Sequence, residues 1–416
     1  MHCVRSGLAS TAAKLEQSLT CVGSDIVWFF RTIRWENISI DRCPTKVPCG
    51  RNLSAKGMEM NGPLHGVKII DLSTMLSGPW AATILADQGA DVIKVEVPGS
   101  GDHVRSFANR RAEMSSMFLN INRNKRSITL DLKSPLGQTV LLDISRDADV
   151  VIQNFRPGVV ERLGISYEHI REINSKVIYL SLSGFGETGP WASKPAYDPV
   201  IQAVSGLTSI QAGSDADRPR LVRTVLPDKI SAMCAAQAVT AALFYREGSG
   251  QGQHVRLSML DAVLSFLWAS DFGVQTYPDL VVDNRNAASF IDLIYQTSDG
   301  FMTVATMSNK EWLGFCHAMK RPDLAVDPRF ESPAMRDQHV NERLAAIQGC
   351  LRDRSTAENL ALLEAEEVPC APALTRDWAS LSSCHSSPER ASLFCGHPHD
   401  CSGAACRSGL LCIRLH

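Results

Sequence analysis

Long apolar runs are missing from this chain, and no stretch is long enough to span a bilayer. A charge excess is missing too. The formal net charge is −2, which gives no electrostatic case for nucleic acid or an anionic membrane as a partner. Phosphate-cradling fingerprints are absent: "LSTMLSGPWA" lacks the three-glycine spacing of a dinucleotide turn, and no Gly-Lys-Ser/Thr loop occurs. Metal spacing is also lacking. Of 13 cysteines, only Cys234, Cys316, Cys350 and Cys370 fall in the long middle, without Cys-x-x-Cys or paired histidines. The middle therefore reads as a globular protein of a reducing compartment with no metal site. The tail "SSCHSSPERASLFCGHPHDCSGAACRSGLLCIRLH" holds many Cys and His but matches no zinc module. It is read as a disordered or alternatively spliced end.

What is present suits a buried core. Hydrophobic residues make up 44% of 416 and charged residues 21%, enough for two domains or for one large domain with extensions. "VKIIDLS" (Val67 to Ser73) reads as a strand and "GPWAATILADQGA" as a helix, with Pro79 in the first turn and Gly89 at the stop. "DVIKVEVPGSGD" returns as a strand. "SITLDL", "SPLGQTVLLDISRDA" and "DVVIQNF" repeat the alternation, followed by short helices at "GVVERLG" and "SYEHIREIN" and the strand "VIYLSLSGFG". Strand–helix–strand units imply parallel strands with right-handed crossovers, hence a doubly wound (Rossmann-like) α/β domain. Ligands in such sheets sit at the carboxyl ends of strands, here "STMLSGP", "VPGSGD", "NFRPG" and "SGFGETGPW". After a strand "GQHVRLSML" and a helix "LDAVLSFLWASDF", the stretch Val281 to Phe290 is polar and irregular. A hairpin-like strand pair and three helices then suggest a smaller α+β domain. The expected boundaries are a poorly ordered or targeting extension over 1–60, a large domain over 61–270, a small domain over 271–378, and the atypical tail over 379–416.

One acid stands out. In "LVRTVLPDKISAMCAAQAVTAALF", Asp228 precedes a helix of small apolar residues. Its position alone fits a helix N-cap, a role that stabilises by about 1 kcal/mol. A capping carboxylate near a positive helix end also stays ionised, the state a nucleophile needs.

Several ordered stretches together resemble the family III CoA-transferases, the CaiB/BaiF family. They are "PLHGVKIIDLSTMLSGPWAATILADQGADVIKVEVPGSGD", "NRNKRSITLDLKSPLGQTVLLDISRDADVVIQNFRPGVVERLGISYEHIREINSKVIYLSLSGFGETGPW", "AYDPVIQAVSGL", "REGSGQGQHVRLSMLDAVLSFL" and "EEVPCAPALT". The likeness runs from about Pro63 to Trp378. It implies that Asp228 is a nucleophile that attacks an acyl-CoA thioester and forms a mixed anhydride, releasing CoA thiolate. The thiolate then gives an aspartyl-CoA thioester, and an acceptor acid reverses the sequence, so that no ATP is required. No cofactor is held permanently; CoA and acyl-CoA are substrates, and the partners are small carboxylic acids.

By the same resemblance, Leu76 and Ser77 line the first loop of a CoA site. Leu130, Asp131, Leu132 and Lys133 follow the third strand, Asn154, Phe155 and Arg156 the fourth, and Arg162 the next short helix. Lys194, Pro195, Ala196 and Tyr197 complete the set. Lys133, Arg156 and Arg162 are the expected phosphate partners. Val97 and Leu76 stand where the formyl-CoA branch has Arg and Gln. Arg123, Arg126 and Arg223 are candidates to meet the second carboxylate of a dicarboxylic acid such as succinate or glutarate. An α-methylacyl-CoA racemase of the same family would need a His-Asp step where this chain has Tyr197-Asp198. Tyrosine is a poor base at neutral pH, and the alternative is that Tyr197 simply packs. A catalytically impaired CoA-binding variant is the third reading. The family implies an interlocked homodimer. The atypical tail bears no resemblance to the family's return segment, so weakened assembly is the expectation here. A mitochondrial location is suggested by animal-like family members and by the basic 1–59 segment, against which stand Glu16, Asp25, Glu36 and Asp41.

Overall fold

The computed structural model describes residues 62–111, 114–213, 215–277 and 291–375. The N-terminal extension, the stretch Val281 to Phe290 and the Cys/His-rich tail lie outside them. The described residues fall into two compact units, 62–277 and 291–375.

The first unit is a doubly wound α/β sheet. Its elements run β1 (Lys68–Asp71), α1 (Ser77–Asp87), β2 (Asp91–Glu96), a short antiparallel pair β3 (Arg110–Arg111) and β4 (Met114–Ser115), and α2 (Ser116–Asn122). Then come β5 (Lys125–Thr129), α3 (Pro135–Ser145), β6 (Val150–Gln153), α4 (Val159–Arg162), α5 (Tyr167–Ile173) and β7 (Ile178–Ser183). The unit closes with α6 (Asp198–Val204), α7 (Leu207–Ala212), α8 (Leu226–Ser249), β8 (Gln253–Ser258) and α9 (Met259–Trp268). Six strands pair in the order β5-β2-β1-β6-β7-β8, all parallel. The order reverses between β1 and β6, and the crevice at their carboxyl ends is where such sheets bind ligands.

The near-continuous apolar strands follow from burial on both faces. Side chains alternate along each strand. Ile69, Val150, Ile152, Ile178 and Leu180 face one core, packed with α1, α8 and α9. Ile70, Ile93, Val151 and Tyr179 face the other, packed with α3, α4 and α5. On the first face α8 lies along α1 through small residues: Ala232, Ala235 and Ala236 on one helix, Ala81, Ala82 and Ala86 on the other. Alanine at these positions lets the two helix backbones approach closely.

Two boundaries differ from the sequence reading. β5 begins at Lys125 rather than Ser127, because Lys125 and Arg126 pair with Val92 and Ile93 of β2 and Lys125 is buried among acids. β8 ends at Ser258, whose hydroxyl accepts the Asp261 N–H at 3.2 Å and so starts α9. Pro79 does sit in the first turn of α1, and Gly89 follows its end at φ +103°.

The second unit has a three-stranded antiparallel sheet, ordered β11 (Cys370–Pro372), β10 (Phe301–Val304), β9 (Ile294–Gln296). Helices α10 (Asn309–Ala318), α11 (Pro322–Ala325), α12 (Pro333–Gln338), α13 (Val340–Leu351) and α14 (Thr356–Ala365) accompany it. Trp312, Phe315, Phe330, Leu351 and Leu363 form its core. Capping boxes at Ser308/Glu311 and Ser355/Glu358 start α10 and α14.

Candidate active site

Asp228 is the third residue of α8, not its cap. The cap position is Val225, which makes no side-chain capping bond. Pro227 fills the second helical position, where its missing N–H leaves nothing unsatisfied. The capping is done from another helix. Asp198, the buried first residue of α6, accepts the Asp228 N–H on Oδ2 at 3.2 Å. Its Oδ1 accepts from Gln202 Nε2 at 2.6 Å. The buried Gln202 amide also donates to the Thr224 carbonyl at 3.1 Å and accepts the Val222 N–H at 2.9 Å. It thereby fixes the strap that leads into Asp228.

The Asp228 carboxylate is thus free to face another group, and it faces Ser77. Ser77 is buried at the amino end of α1, and its hydroxyl and backbone N–H favour the ionised form of the carboxylate. Burial pushes the Asp228 carboxyl up, the nearby Asp198 charge adds to that, and the Ser77 donors oppose it; the result is about 6. Burial likewise raises Asp198, against the bonds from Gln202 and the Asp228 N–H. A half-buried carboxylate, still ionised at neutral pH and set against helix N–H groups, is suited to nucleophilic attack on an activated carbonyl.

The expected CoA-loop residues sit at the carboxyl end of the sheet in varying states. Leu76 is buried and precedes α1. Asn154 spans the switch point: Oδ1 accepts the Thr74 N–H at 2.9 Å and Nδ2 donates to the Thr74 carbonyl at 2.8 Å. Phe155 and Arg156 line a cleft of about 290 Å³ with Gln153, Gly158, Glu161 and Ser183. Arg162, exposed at the end of α4, reaches over Gly158. Leu130 and Leu132 are buried, whereas Asp131 and Lys133 are exposed on a turn closed by Lys133 N–H to Asp131 Oδ1 at 3.0 Å. Lys194 lies 3.7 Å over the Trp191 ring. Pro195 is exposed, and Ala196 packs against Gly184 so closely that a Cβ there would lie 2.1 Å from the Ala196 methyl. Among the described residues, no hydrogen bond or ion pair ties Lys133 or Lys194 to the Asp228 cluster.

Three readings are corrected by this geometry. Tyr197 does not pack: it is 63% exposed at the start of α6. Arg123 and Arg126 are engaged by Asp87 and Asp91, the latter through two bonds at 2.5 and 3.0 Å, so neither is available to a dicarboxylate. The cap role of Asp228 passes to Asp198. Two features escaped the sequence reading altogether, the Gln202 hub and a relay beneath the cleft. In the relay, His254 Nε2 meets Ser181 Oγ at 2.8 Å, Gln153 Nε2 donates to Ser181 at 2.9 Å, and the Phe155 N–H bonds Gln153 Oε1 at 2.8 Å. The available signal was polar residues at inward positions of apolar strands.

Comparison with known proteins decides the family. Residues 64–388 match the family described as CoA-transferase family III. The chain belongs to CoA-transferase family III. The match continues past Trp378, where the resemblance seen in the sequence stopped. Acetyl-CoA:oxalate CoA-transferase of Acetobacter aceti is 35% identical over 319 residues, 75% of this chain and 81% of that one. Mouse succinyl-CoA:glutarate CoA-transferase is 31% identical over 324 residues, 74% and 72% of the two chains. Among solved structures, a CaiB/BaiF family protein from Brucella suis superposes with TM-score 0.69 at 28% identity, covering 80% of this chain and 88% of its own. This family III CoA-transferase is therefore an enzyme whose substrates are CoA thioesters. Among its described residues no helix is long and apolar enough to cross a membrane.

Proposed function

We propose that this chain moves CoA from an acyl-CoA donor, such as succinyl-CoA, to a carboxylic acid acceptor, with Asp228 as the nucleophile. The observation that carries the reading is the Asp228 carboxylate, relieved of capping by Asp198 and set against the Ser77 hydroxyl and N–H. An Asp228 oxygen attacks the thioester carbonyl, the C–S bond breaks, and CoA thiolate leaves an aspartyl–acyl anhydride. The thiolate attacks the aspartyl carbonyl and expels the donor acid, leaving an aspartyl-CoA thioester. The acceptor carboxylate displaces CoA to form a second anhydride. CoA then takes the new acyl group and restores the Asp228 carboxylate. No proton is consumed, and each high-energy bond is exchanged for another. The Ser77 N–H and hydroxyl are placed to stabilise negative charge developing on the aspartyl oxygen.

The loops that carry Leu76, Asn154, Phe155, Arg156 and Arg162 are the proposed CoA site, with the two arginines on its phosphates. A dicarboxylic acceptor is the favoured class. Relatives are named for oxalate and glutarate, and Arg223, exposed on the strap before Asp228, makes no ion pair among the described residues. A mitochondrial location and a homodimer remain proposals from the family resemblance. They are tested by cell fractionation and by light scattering on the purified chain.

The test of the mechanism is a trapped adduct. With succinyl-CoA alone, peptide mass spectrometry should find CoA on the peptide containing Asp228. Asp228→Ala should lose both the adduct and CoA exchange into succinate, oxalate or glutarate, by at least about 10³-fold. Full exchange by the variant would remove Asp228 from the chemistry.

A further inference from the structure

Four buried charges lie behind the turn that delivers Ser77. Asp71, Lys94, Asp102 and Lys125 come from β1, β2, the loop after β2 and β5, and all are buried. Lys94 Nζ is 3.0 Å from Asp102 Oδ2 and 3.9 Å from Asp71 Oδ2; Lys125 Nζ is 2.8 Å from Asp71 Oδ2. Two cations face two anions, so the set is neutral. A well-packed apolar set could stabilise the fold as well as such a cluster does, so stability alone does not account for it.

What the charges hold is the turn between β1 and α1. The Ser73 N–H bonds Asp71 Oδ1 at 3.0 Å, and the Ser73 carbonyl accepts from Lys94 Nζ at 2.8 Å. The Met75 N–H bonds Asp102 Oδ1 at 3.2 Å, and that oxygen also accepts the Val104 N–H at 3.1 Å. Asn154 holds both backbone groups of Thr74. Lys125 reaches past the turn to the Pro79 carbonyl in α1, at 2.8 Å. The backbone groups from the Ser73 N–H to the Met75 N–H are therefore all bound by side chains. Met75 itself sits at φ +68°, a conformation that residues with a Cβ seldom adopt without support.

We propose that the Lys94–Asp102 pair is a positioning device, which locks the 73–77 turn in the one conformation that aims the Ser77 donors at Asp228. The proposal rests on the reading of Asp228 as nucleophile. Among the described residues, Lys94 and Asp102 make no hydrogen bond or ion pair with Asp228 and act through the turn. Their charge fixes the carbonyl of Ser73 and the N–H of Met75 in space, and a shift of 1 Å there would part Ser77 from the carboxylate.

The experiment uses the full chain and two variants. Lys94→Met/Asp102→Asn removes both charges together, leaving no unpaired ion from the pair. Asp102→Asn alone removes the anion, keeps an acceptor for Met75 and leaves the Lys94 ammonium facing Asp71 at 3.9 Å, so it carries the test should the double variant not fold. Two readouts are taken: succinyl-CoA exchange kinetics, and the pH midpoint of carbodiimide labelling at Asp228, followed by peptide mass spectrometry. In the double variant kcat should fall on the order of 10²-fold while KM for succinyl-CoA stays within about threefold. The labelling midpoint should rise by about one pH unit as the Ser77 donors are lost. Asp102→Asn should show smaller changes in the same directions. Folded variants with unchanged kcat and unchanged midpoint would overturn the proposal. If the wild-type chain exchanges no CoA, the nucleophile reading fails, and the labelling midpoint alone still decides the positioning claim.

Discussion

At Asp228, two neighbouring carboxylates set the acid–base behaviour of the candidate site. Burial and the Asp198 charge raise the Asp228 carboxyl to about 6. The proposed nucleophile must be ionised, so kcat/KM for acyl transfer should fall tenfold per unit as pH drops below about 6 and level off above it. A flat profile down to pH 5 would mean that another group attacks. The same shift acts on stability. A carboxyl whose folded value lies above its unfolded one binds its proton more tightly when folded. It therefore costs stability above about pH 6 and ceases to do so as pH falls towards 4. Asp228→Asn removes that cost. The variant should melt higher than wild type at pH 7, by an amount worth about 1–3 kcal/mol, with the difference gone near pH 4. Equal melting at pH 7 would show that the folded environment does not disfavour the charge. Asp228 was legible in the sequence as the one acid ahead of a small-residue helix, but its role there was ambiguous. The capping partner came from thirty residues upstream, a distance over which no local pattern reports.

Among the elements, the meeting of α1 with α8 makes the candidate site. Small residues on both helices permit the approach, and the first turn of α1 is tight enough to exclude a methyl group. A Cβ at Gly78 would lie 2.3 Å from the Ser73 Cβ and 2.4 Å from its hydroxyl. Gly78→Ala should cost roughly 1–3 kcal/mol by overpacking and lower kcat more than KM is raised, since the Ser77 donors move with the turn. Differential scanning calorimetry with steady-state kinetics checks this; a variant with wild-type kcat would show that the turn has slack. The parallel strands and their helices were legible because continuous apolar runs alternate with helical periodicity. The start of β5 was not. Lys125 and Arg126 read as loop residues, yet Lys125 is buried in a strand because Asp71, Asn122 and the Pro79 carbonyl accept its ammonium protons. Likewise α6 and α7 were hidden in a Gly- and Pro-rich stretch, where Asp198 and Gln202 hold the backbone through tertiary bonds.

Over the whole molecule, buried ionisable groups should make acid response uneven. Burial alone would raise Asp71 and Glu96, but Lys125 and Lys94 outweigh it for the first and Arg105 for the second, so both lie below the usual carboxylate range. Their stabilising contribution is complete above the unfolded value near 4 and is lost as pH falls through the lower folded values. His254 is held down by burial and by Arg256, and its Nδ1 has no hydrogen-bond partner among the described residues, so it costs stability below about pH 6.5. Asp228 and Asp198 act with the opposite sign over much of that window. The melting temperature should therefore change little between pH 7 and 5 and fall steeply below pH 4; a main loss above pH 5 would contradict the balance. Local pattern along the chain sufficed for the class of fold and the family, and it singled out Asp228 as a candidate, because apolar periodicity and ordered local motifs are properties of neighbouring residues. That Asp198 caps α8, that Arg123 and Arg126 are already paired, and that Lys94 and Asp102 grip the turn at Met75 emerges once the chain is folded. Those outcomes depend on which distant side chains the parallel sheet brings within hydrogen-bond reach, and burial then makes each unpaired charge too costly to leave alone.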